Sequence, residues 1–162
     1  MVITGCGDTH VSGMGTDSHG VTELRRTSQA PPRKRILCVD DDLAIARLLT
    51  RWLGRAGYDA VATSAPLTAV QQLVSAARPF DALITDQNMP GMTGLELARF
   101  AVSARPRLVV FLATAKGDCL DPDQLASSGV SHLVAKPFDL EGILASLEET
   151  IGVARQGRLV LV

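Results

Sequence analysis

Short apolar runs alternate with amphipathic segments along residues 36–154, and this alternation constrains the fold more than any other feature of the sequence. Five runs have the length and apolar character of buried strands: residues 36–39, 58–63, 82–84, 108–112 and 132–135. An amphipathic segment follows each run. Strand–helix units in this order predict right-handed crossovers and helices on both faces of a parallel sheet. The predicted fold class is therefore α/β, with a doubly wound sheet in a single domain.

Helices are predicted where apolar residues recur at three- and four-residue spacing. Gly57 is placed to end the first helix, and Thr-Gly-Leu-Glu at 93–96 has the spacing of a capping box. A short fourth helix is expected around Leu125, and Asp139 is expected to cap the last one. The predicted buried faces are Ile45, Leu48, Leu49, Trp52, Leu53 and Ala56 in the first helix, Leu67, Val70, Leu73, Val74 and Ala77 in the second, and Leu140, Ile143, Leu144, Leu147 and Ile151 in the last.

Composition argues against several functional classes. The net charge is −1 with a pI near 6.3, so there is no overall positive field to hold nucleic acid or an anionic membrane. The longest apolar run, 108–113, is far shorter than the roughly 18 residues of a membrane-spanning helix. Three widely spaced cysteines fit a reducing compartment. We therefore expect a cytoplasmic protein without membrane insertion or direct nucleic-acid binding.

The chain divides into three segments. Residues 1–35 are rich in Gly, Ser and Thr, lack apolar periodicity, and are predicted to be a disordered leader. Residues 36–154 form the predicted domain. The remaining tail, 155–162, is too short for a DNA-binding or catalytic output domain.

Polar residues of particular types follow the predicted strands. Asp40 to Asp42 follow the first strand, Asp86 the third, Thr114 the fourth and Lys136 the fifth. The reactive site of such a sheet lies outside the carboxyl ends of its strands, so these side chains are expected to converge. Singly, each has a simpler explanation, such as a helix cap for Asp42 or a solvated charge for Lys136. In combination they indicate one site.

The combination indicates phosphoryl chemistry. Carboxylates at one edge repel each other and need a compensating cation, and their hard oxygens suit Mg²⁺. A carboxylate can also attack a phosphoryl group and form an aspartyl-phosphate. A metal ion, an ammonium group and a hydroxyl would share the charge on the transferred oxygens.

Four motifs in register resemble the receiver domain of two-component response regulators. They are ILCVDDD, DALITDQNMPGMTGLEL, FLATA and LVAKPF, and the resemblance covers residues 36 to about 154. It implies a flavodoxin-like sheet of order 2-1-3-4-5 and, given the short tail, a single-domain response regulator. The protein would be no enzyme beyond catalysing its own phosphorylation and dephosphorylation.

The resemblance also implies roles for individual residues at the metal centre. Asp86 would be the phosphoacceptor and a ligand of Mg²⁺. Asp40 and Asp41 would be the acidic pair that binds the metal. Asn88 would add its backbone carbonyl as a further ligand.

Two more residues would act on the phosphoryl group itself. Thr114 would donate a hydrogen bond to it, and Lys136 would form an ion pair with it, with Pro137 next in the chain in a cis peptide. Leu133 departs from the family, since many receivers carry an aromatic residue there that moves on phosphorylation. Thr93 replaces a common Asp, an exchange of one helix cap for another.

The implied partners are a sensor histidine kinase or phosphotransfer protein and a downstream protein target. Two alternatives stay open. A haloacid dehalogenase-type phosphohydrolase would use Asp40 and Asp42 after its first strand, although Asp86 would then have no role. A receiver-fold interaction module that is never phosphorylated is the other, and the intact set of polar residues argues against it.

Overall fold

The computed structural model describes residues 32–115, 118 and 120–152. Strands and helices alternate throughout this part of the chain. In chain order they are β1 (Arg35–Val39), α1 (Leu43–Arg55), β2 (Asp59–Thr63), α2 (Pro66–Ser75), β3 (Ala82–Asp86), α3 (Gly94–Ala104), β4 (Val109–Thr114), α4 (Pro122–Ser127), β5 (His132–Ala135) and α5 (Leu140–Ile151).

The strands form one five-stranded parallel sheet of order β2-β1-β3-β4-β5. The predicted fold class is confirmed. In the register, Asp86 of β3 lies opposite Ala113, and Thr114 of β4 lies opposite Ala135. The carboxyl ends of β3, β4 and β5 are therefore level with one another. The residues that follow these strands lie at one edge of the sheet.

Alternation along the strands divides the core between the two faces of the sheet. Leu37 and Val39 pack on one face, and Ile36 and Cys38 on the other. The first face is covered by buried residues of α2 and α3: Ala69, Leu73, Leu97, Ala98 and Ala101. The second face is covered by buried residues of α1 and α5: Leu49, Leu53, Ile143 and Leu147. Because both faces are covered, the strands read as continuous apolar runs rather than alternating ones.

Burial also explains the thiol in β1. Cys38 is fully buried, and its loss of solvation raises the pKa to about 12. A thiol that stays protonated is a poor nucleophile and a poor metal ligand, so Cys38 is a core residue.

Capping residues set the helix starts. Asp42, Thr93 and Asp139 accept hydrogen bonds from the first turns of α1, α3 and α5, as the sequence predicts. At Thr93 the capping box is complete, because Glu96 also accepts from the Thr93 backbone. Just after α1, Gly57 has a φ of 96°, which favours glycine and ends the helix.

The predicted apolar faces of two helices were too wide. Leu48 of α1 and both Leu67 and Val74 of α2 are exposed, whereas Ala69 and Leu73 are buried. Helical spacing places a residue on a face, but the packing partner determines which part of that face is covered. α2 ends at Ser75, so Ala77 lies beyond it, and β4 begins at Val109 rather than Leu108.

The ends of the chain lie outside the described residues. The leader was predicted for residues 1–35, of which 1–31 lie outside the described residues, and the predicted tail, 155–162, lies entirely outside them. β1 begins at Arg35, one residue earlier than predicted. Among the helices described, none is long and apolar enough to cross a bilayer.

Candidate functional site

The predicted site residues lie at the carboxyl edge of the sheet. Asp40 directly follows β1, Asp86 is the last residue of β3, Thr114 is the last residue of β4, and Lys136 directly follows β5. The aligned strand ends explain how residues far apart in sequence meet here.

Lys136 joins two of the predicted carboxylates. Its Nζ lies 2.8 Å from Asp40 Oδ2 and 2.7 Å from Asp86 Oδ1. Only 2% of Asp40 and 7% of Asp86 is exposed. Two buried carboxylates this close would be costly without a cation, and the ammonium supplies it.

The pKa of Lys136 reflects the same arrangement. Desolvation alone would lower it, but hydrogen bonds and attraction from Asp40 and Asp86 outweigh desolvation and raise the pKa above the ordinary 10.5. Lys136 is therefore charged at neutral pH, and one positive charge faces two negative ones.

Backbone amides hold the other carboxylate oxygens. Asp42 N donates to Asp40 Oδ1 at 3.0 Å, and Asn88 N donates to Asp86 Oδ2 at 2.8 Å. Both carboxylates are therefore fixed in orientation, each between an amide and the Lys136 ammonium.

The three acids after β1 have different surroundings. Asp40 is buried in the ion pair, and Asp42 caps α1 by accepting from Ala44 N at 2.8 Å. Asp41 is exposed at the rim. It lines an open cavity of about 470 Å³ together with Leu67 and Met92, and this volume is in the size range of a small-ligand site.

Thr114 is placed beside Lys136 through the backbone. Its carbonyl oxygen accepts from Lys136 N at 2.8 Å. Within the described part of the chain, no hydrogen bond joins its hydroxyl to Asp86 or Lys136. The structure thus brings Asp40, Asp86 and Lys136 into direct contact and leaves Asp41 and the Thr114 hydroxyl outside that contact.

The chemistry of the donor set fits Mg²⁺. Asp40, Asp41 and Asp86 offer hard oxygen ligands at one edge, and a single ammonium leaves them with a net negative charge. Among the described residues, none donates a hydrogen bond to the Asn88 carbonyl oxygen. No three acidic, His or Cys side chains of the described residues are close enough to form a closed metal cluster. Water molecules, which Mg²⁺ usually retains, would complete its coordination.

Two features of β5 and the loop that follows it bear on the family resemblance. The Lys136–Pro137 peptide is cis, as predicted. Leu133, at the position of the aromatic residue in many receivers, is 53% exposed on edge strand β5.

Sequence reasoning missed two contacts of this site. Gly94 packs its backbone against Asp86, and the side chain of Asn88 donates to Asp118 Oδ1 at 2.8 Å. A sequence signal for the Gly94 contact was available, because glycine is an unusual choice for the first turn of a predicted helix. Asp118 had none, because it is one of several acids in a polar loop.

Comparison with known proteins agrees with this geometry. Residues 36–148 match the model of the response regulator receiver domain family. The response regulator receiver protein CpdR of Brucella abortus is 34% identical over 119 residues, which cover 73% of this chain and 97% of CpdR. The DNA-binding response regulator MtrA of Mycolicibacterium smegmatis is 36% identical over 116 residues. These cover 70% of this chain but 48% of MtrA, so the chain spans about half of that relative.

Solved structures show the same fold. A response regulator receiver domain protein from Clostridium thermocellum superposes with a TM-score of 0.68 at 21% identity, covering 73% of this chain and 94% of that one. The chemotaxis response regulator CheY4 of Vibrio cholerae gives a TM-score of 0.65 at 26% identity, covering 74% and 99%. On the family match, the CpdR similarity and the shared fold, the chain belongs to the response regulator receiver domain family of two-component signalling.

Proposed function

We propose that this protein accepts a phosphoryl group on Asp86 from a sensor histidine kinase or a phosphotransfer protein. The observation that carries the proposal is the Lys136 ammonium, held between Asp40 and Asp86 at the carboxyl edge of the sheet. Receiver domains are signalling proteins that interact with such kinases and phosphotransfer proteins.

The transfer would begin with attack by a carboxylate oxygen of Asp86 on the phosphorus of a phosphohistidine. The new O–P bond forms as the P–N bond breaks, and the electron pair of that bond returns to the imidazole. Lys136 is placed to share the negative charge of the transferred oxygens, and the Thr114 hydroxyl, not bonded to Asp86 or Lys136, is available to donate to them.

Mg²⁺ would be held by Asp40, Asp41, Asp86 and the Asn88 backbone carbonyl. When bound, the metal would neutralise charge on the phosphoryl oxygens and on the acidic residues. The receiver family generally uses this metal. The role of the chain itself is to hold Asp86 in a fixed orientation through Asn88 N and Lys136.

The output would be a contact with a downstream protein. By resemblance to the family, α4, β5 and α5 would form that contact surface, and exposed Leu133 lies on it. We also propose that residues 36–154 accept the phosphoryl group and fold together with Lys34 and Arg35, which bond Asp81, whereas the leader before them and the tail 155–162 are not needed for folding.

The phosphohydrolase alternative is not favoured by any contact. It needs Asp42 as a second functional carboxylate, but Asp42 is committed to capping α1. An interaction module that is never phosphorylated is the remaining alternative, and the following experiment separates it from the proposal.

Purified protein is incubated with acetyl phosphate and Mg²⁺, and incorporation is followed by intact mass. We expect one phosphoryl group in the wild type and none in Asp86→Asn. The matched control is Asp42→Asn, which makes the same chemical change but retains a good helix cap, and it should be labelled normally. Labelling that persists in Asp86→Asn or in excess EDTA would contradict the proposal, and absence of labelling in the wild type would favour the interaction module.

A further inference from the structure

The side chain of Asp118 links the loop after β3 to the loop after β4. Its Oδ1 accepts from Asn88 Nδ2 at 2.8 Å, and its Oδ2 accepts from Ala115 N at 2.7 Å. The Asp118 backbone also donates to the Ala115 carbonyl oxygen at 3.1 Å. Each carboxylate oxygen of Asp118 therefore accepts one hydrogen bond, Oδ1 from the loop after β3 and Oδ2 from the loop after β4.

Asn88 continues this link to the candidate phosphoacceptor. Its backbone N–H donates to Asp86 Oδ2 at 2.8 Å while its side chain donates to Asp118. Hydrogen bonds thus run without interruption from Asp86 through Asn88 and Asp118 to Ala115. Ala115 directly follows Thr114, but no step of this route uses the Thr114 hydroxyl.

Chemistry at Asp86 alters the first bond of this route. A hydrogen bond to an ionised acceptor is roughly twice as strong as one to a neutral acceptor. Formation of an acyl phosphate removes the charge of the carboxylate that accepts from Asn88 N. The position of Asn88 is therefore expected to differ in energy between the two states of Asp86, and only such a difference can shift a conformational equilibrium.

The other described acids near α4 do not hydrogen-bond to the loop after β3. Asp121 caps α4 by accepting from Asp123 N at 2.9 Å, and Asp123 is exposed in the first turn of that helix. Asp118 is the one described acid of this region that contacts the β3–α3 loop.

We propose that Asp118 is a positioning residue of the phosphorylation site, which acts through Asn88 to couple the state of Asp86 to the loop after β4. The inference rests on the proposed function of Asp86. The coupling runs through hydrogen bonds of Asn88 and Asp118 and does not use the Thr114 hydroxyl.

The test compares four changes with the wild type: Asp118→Ala, Asn88→Ala, the two together, and the reciprocal exchange of Asn88→Asp with Asp118→Asn. Asp123→Ala is the control, because it removes the same charge from the same region without touching Asn88. Each protein is saturated with beryllofluoride and Mg²⁺, and fluorine NMR measures occupancy. Amide hydrogen exchange at Ala115 is then compared with and without beryllofluoride.

In the protein without beryllofluoride, Asp118→Ala should speed exchange at Ala115 about fivefold, which is the factor expected for one net hydrogen bond. Beryllofluoride should change Ala115 exchange in the wild type and the control. That response should be lost in Asp118→Ala and in Asn88→Ala, and the double variant should lose no more than either single one.

The reciprocal exchange should restore the response. The amide introduced at position 118 can donate to the carboxylate introduced at position 88, while its oxygen still accepts from Ala115. A residue that only shaped its own turn would not depend on the group at position 88.

Three results would overturn the inference, and they are distinguishable. A full response in both single variants would mean that the link does not couple the loops. A full response in Asn88→Ala alone would mean that Asp118 only caps its own loop. Absence of a bound fluorine signal in the wild type would overturn the proposed function of Asp86, and this inference with it.

Discussion

A Cβ atom at Gly94 would lie 2.3 Å from the backbone carbonyl oxygen of Asp86. It would also lie 2.5 Å from Leu112 Cδ1, the end of a side chain that can move. The carbonyl belongs to the central strand β3 and cannot move as easily. The start of α3 is therefore packed, backbone against backbone, on the residue proposed to carry the phosphoryl group.

This contact predicts that Gly94→Ala is destabilising. The added methyl group must push α3 away from β3, at a cost of about 1–3 kcal/mol in the free energy of unfolding. Gly54→Ala is the control, because a Cβ there meets nothing within 4 Å and lies in α1, where alanine is the better helix former. Urea unfolding should show a loss for the first variant and no loss for the second. Equal stability of the two would contradict the close contact.

The acids after β1 should separate by function. Asp41→Ala should weaken Mg²⁺ binding by at least roughly tenfold, since it removes a proposed ligand, and leave stability nearly unchanged. Asp42→Ala should leave Mg²⁺ binding nearly unchanged and cost about 1 kcal/mol of stability, since it removes the cap of α1. Mg²⁺ titrations followed by amide chemical shifts, together with urea unfolding, measure both effects. The opposite pattern would overturn this division.

Lys136→Met should destabilise the protein at neutral pH by about 2 kcal/mol or more, because it leaves two buried carboxylates without a cation. Lys34→Met is the control. Lys34 also pairs with an aspartate, Asp81, but the pair is more exposed, so its loss should cost about 1 kcal/mol or less. Similar losses in urea unfolding would mean that the Lys136 pairs add little.

The pH dependence of this difference has a definite sign. The folded pKa of Lys136 lies above the ordinary 10.5, so its contribution is complete below pH 10.5 and is lost as pH rises through the folded pKa. The stability gap between wild type and Lys136→Met should therefore be constant from neutral pH to about pH 10 and narrow above it. Burial also raises the pKa of Tyr58, with Glu148 adding to it, but Tyr58 is present in both proteins. A gap that widened above pH 10.5 would contradict the predicted sign.

The boundary of the domain predicts two outcomes for N-terminal truncation. Removal of residues 1–31 should leave the melting temperature unchanged, because their composition lacks an apolar pattern. Removal of 1–35 should lower it by roughly 5 °C or more, because Lys34 Nζ and Arg35 N both bond Asp81 and Arg35 begins β1. A large loss from the shorter truncation would show that residues 1–31 stabilise the domain.

Much of the fold was predictable because its signals are local. The apolar runs, the caps at Asp42, Thr93 and Asp139, and the glycine after α1 each act within a few residues of the chain. The exposed parts of the helix faces were not predictable, because whether Leu67 is covered depends on what packs beside α2.

The site was predictable at the level of residue type and strand end, but not at the level of contact. The sequence places Asp40, Asp86 and Lys136 at one edge, yet their mutual pairing depends on the register of β1, β3 and β5. The link from Asn88 to Asp118 joins two loops whose approach no local pattern encodes. Those contacts required the three-dimensional structure.

The central claim, that Asp86 carries the phosphoryl group, is tested most directly by reductive trapping. Protein treated with acetyl phosphate and Mg²⁺ is reduced with borohydride, which converts an acyl phosphate of aspartate to homoserine, and the modified residue is located by peptide mass spectrometry. The account predicts homoserine at position 86 alone, and its loss when EDTA is present. Homoserine at position 40 or 42, the two acids that the phosphohydrolase alternative would use, would contradict it.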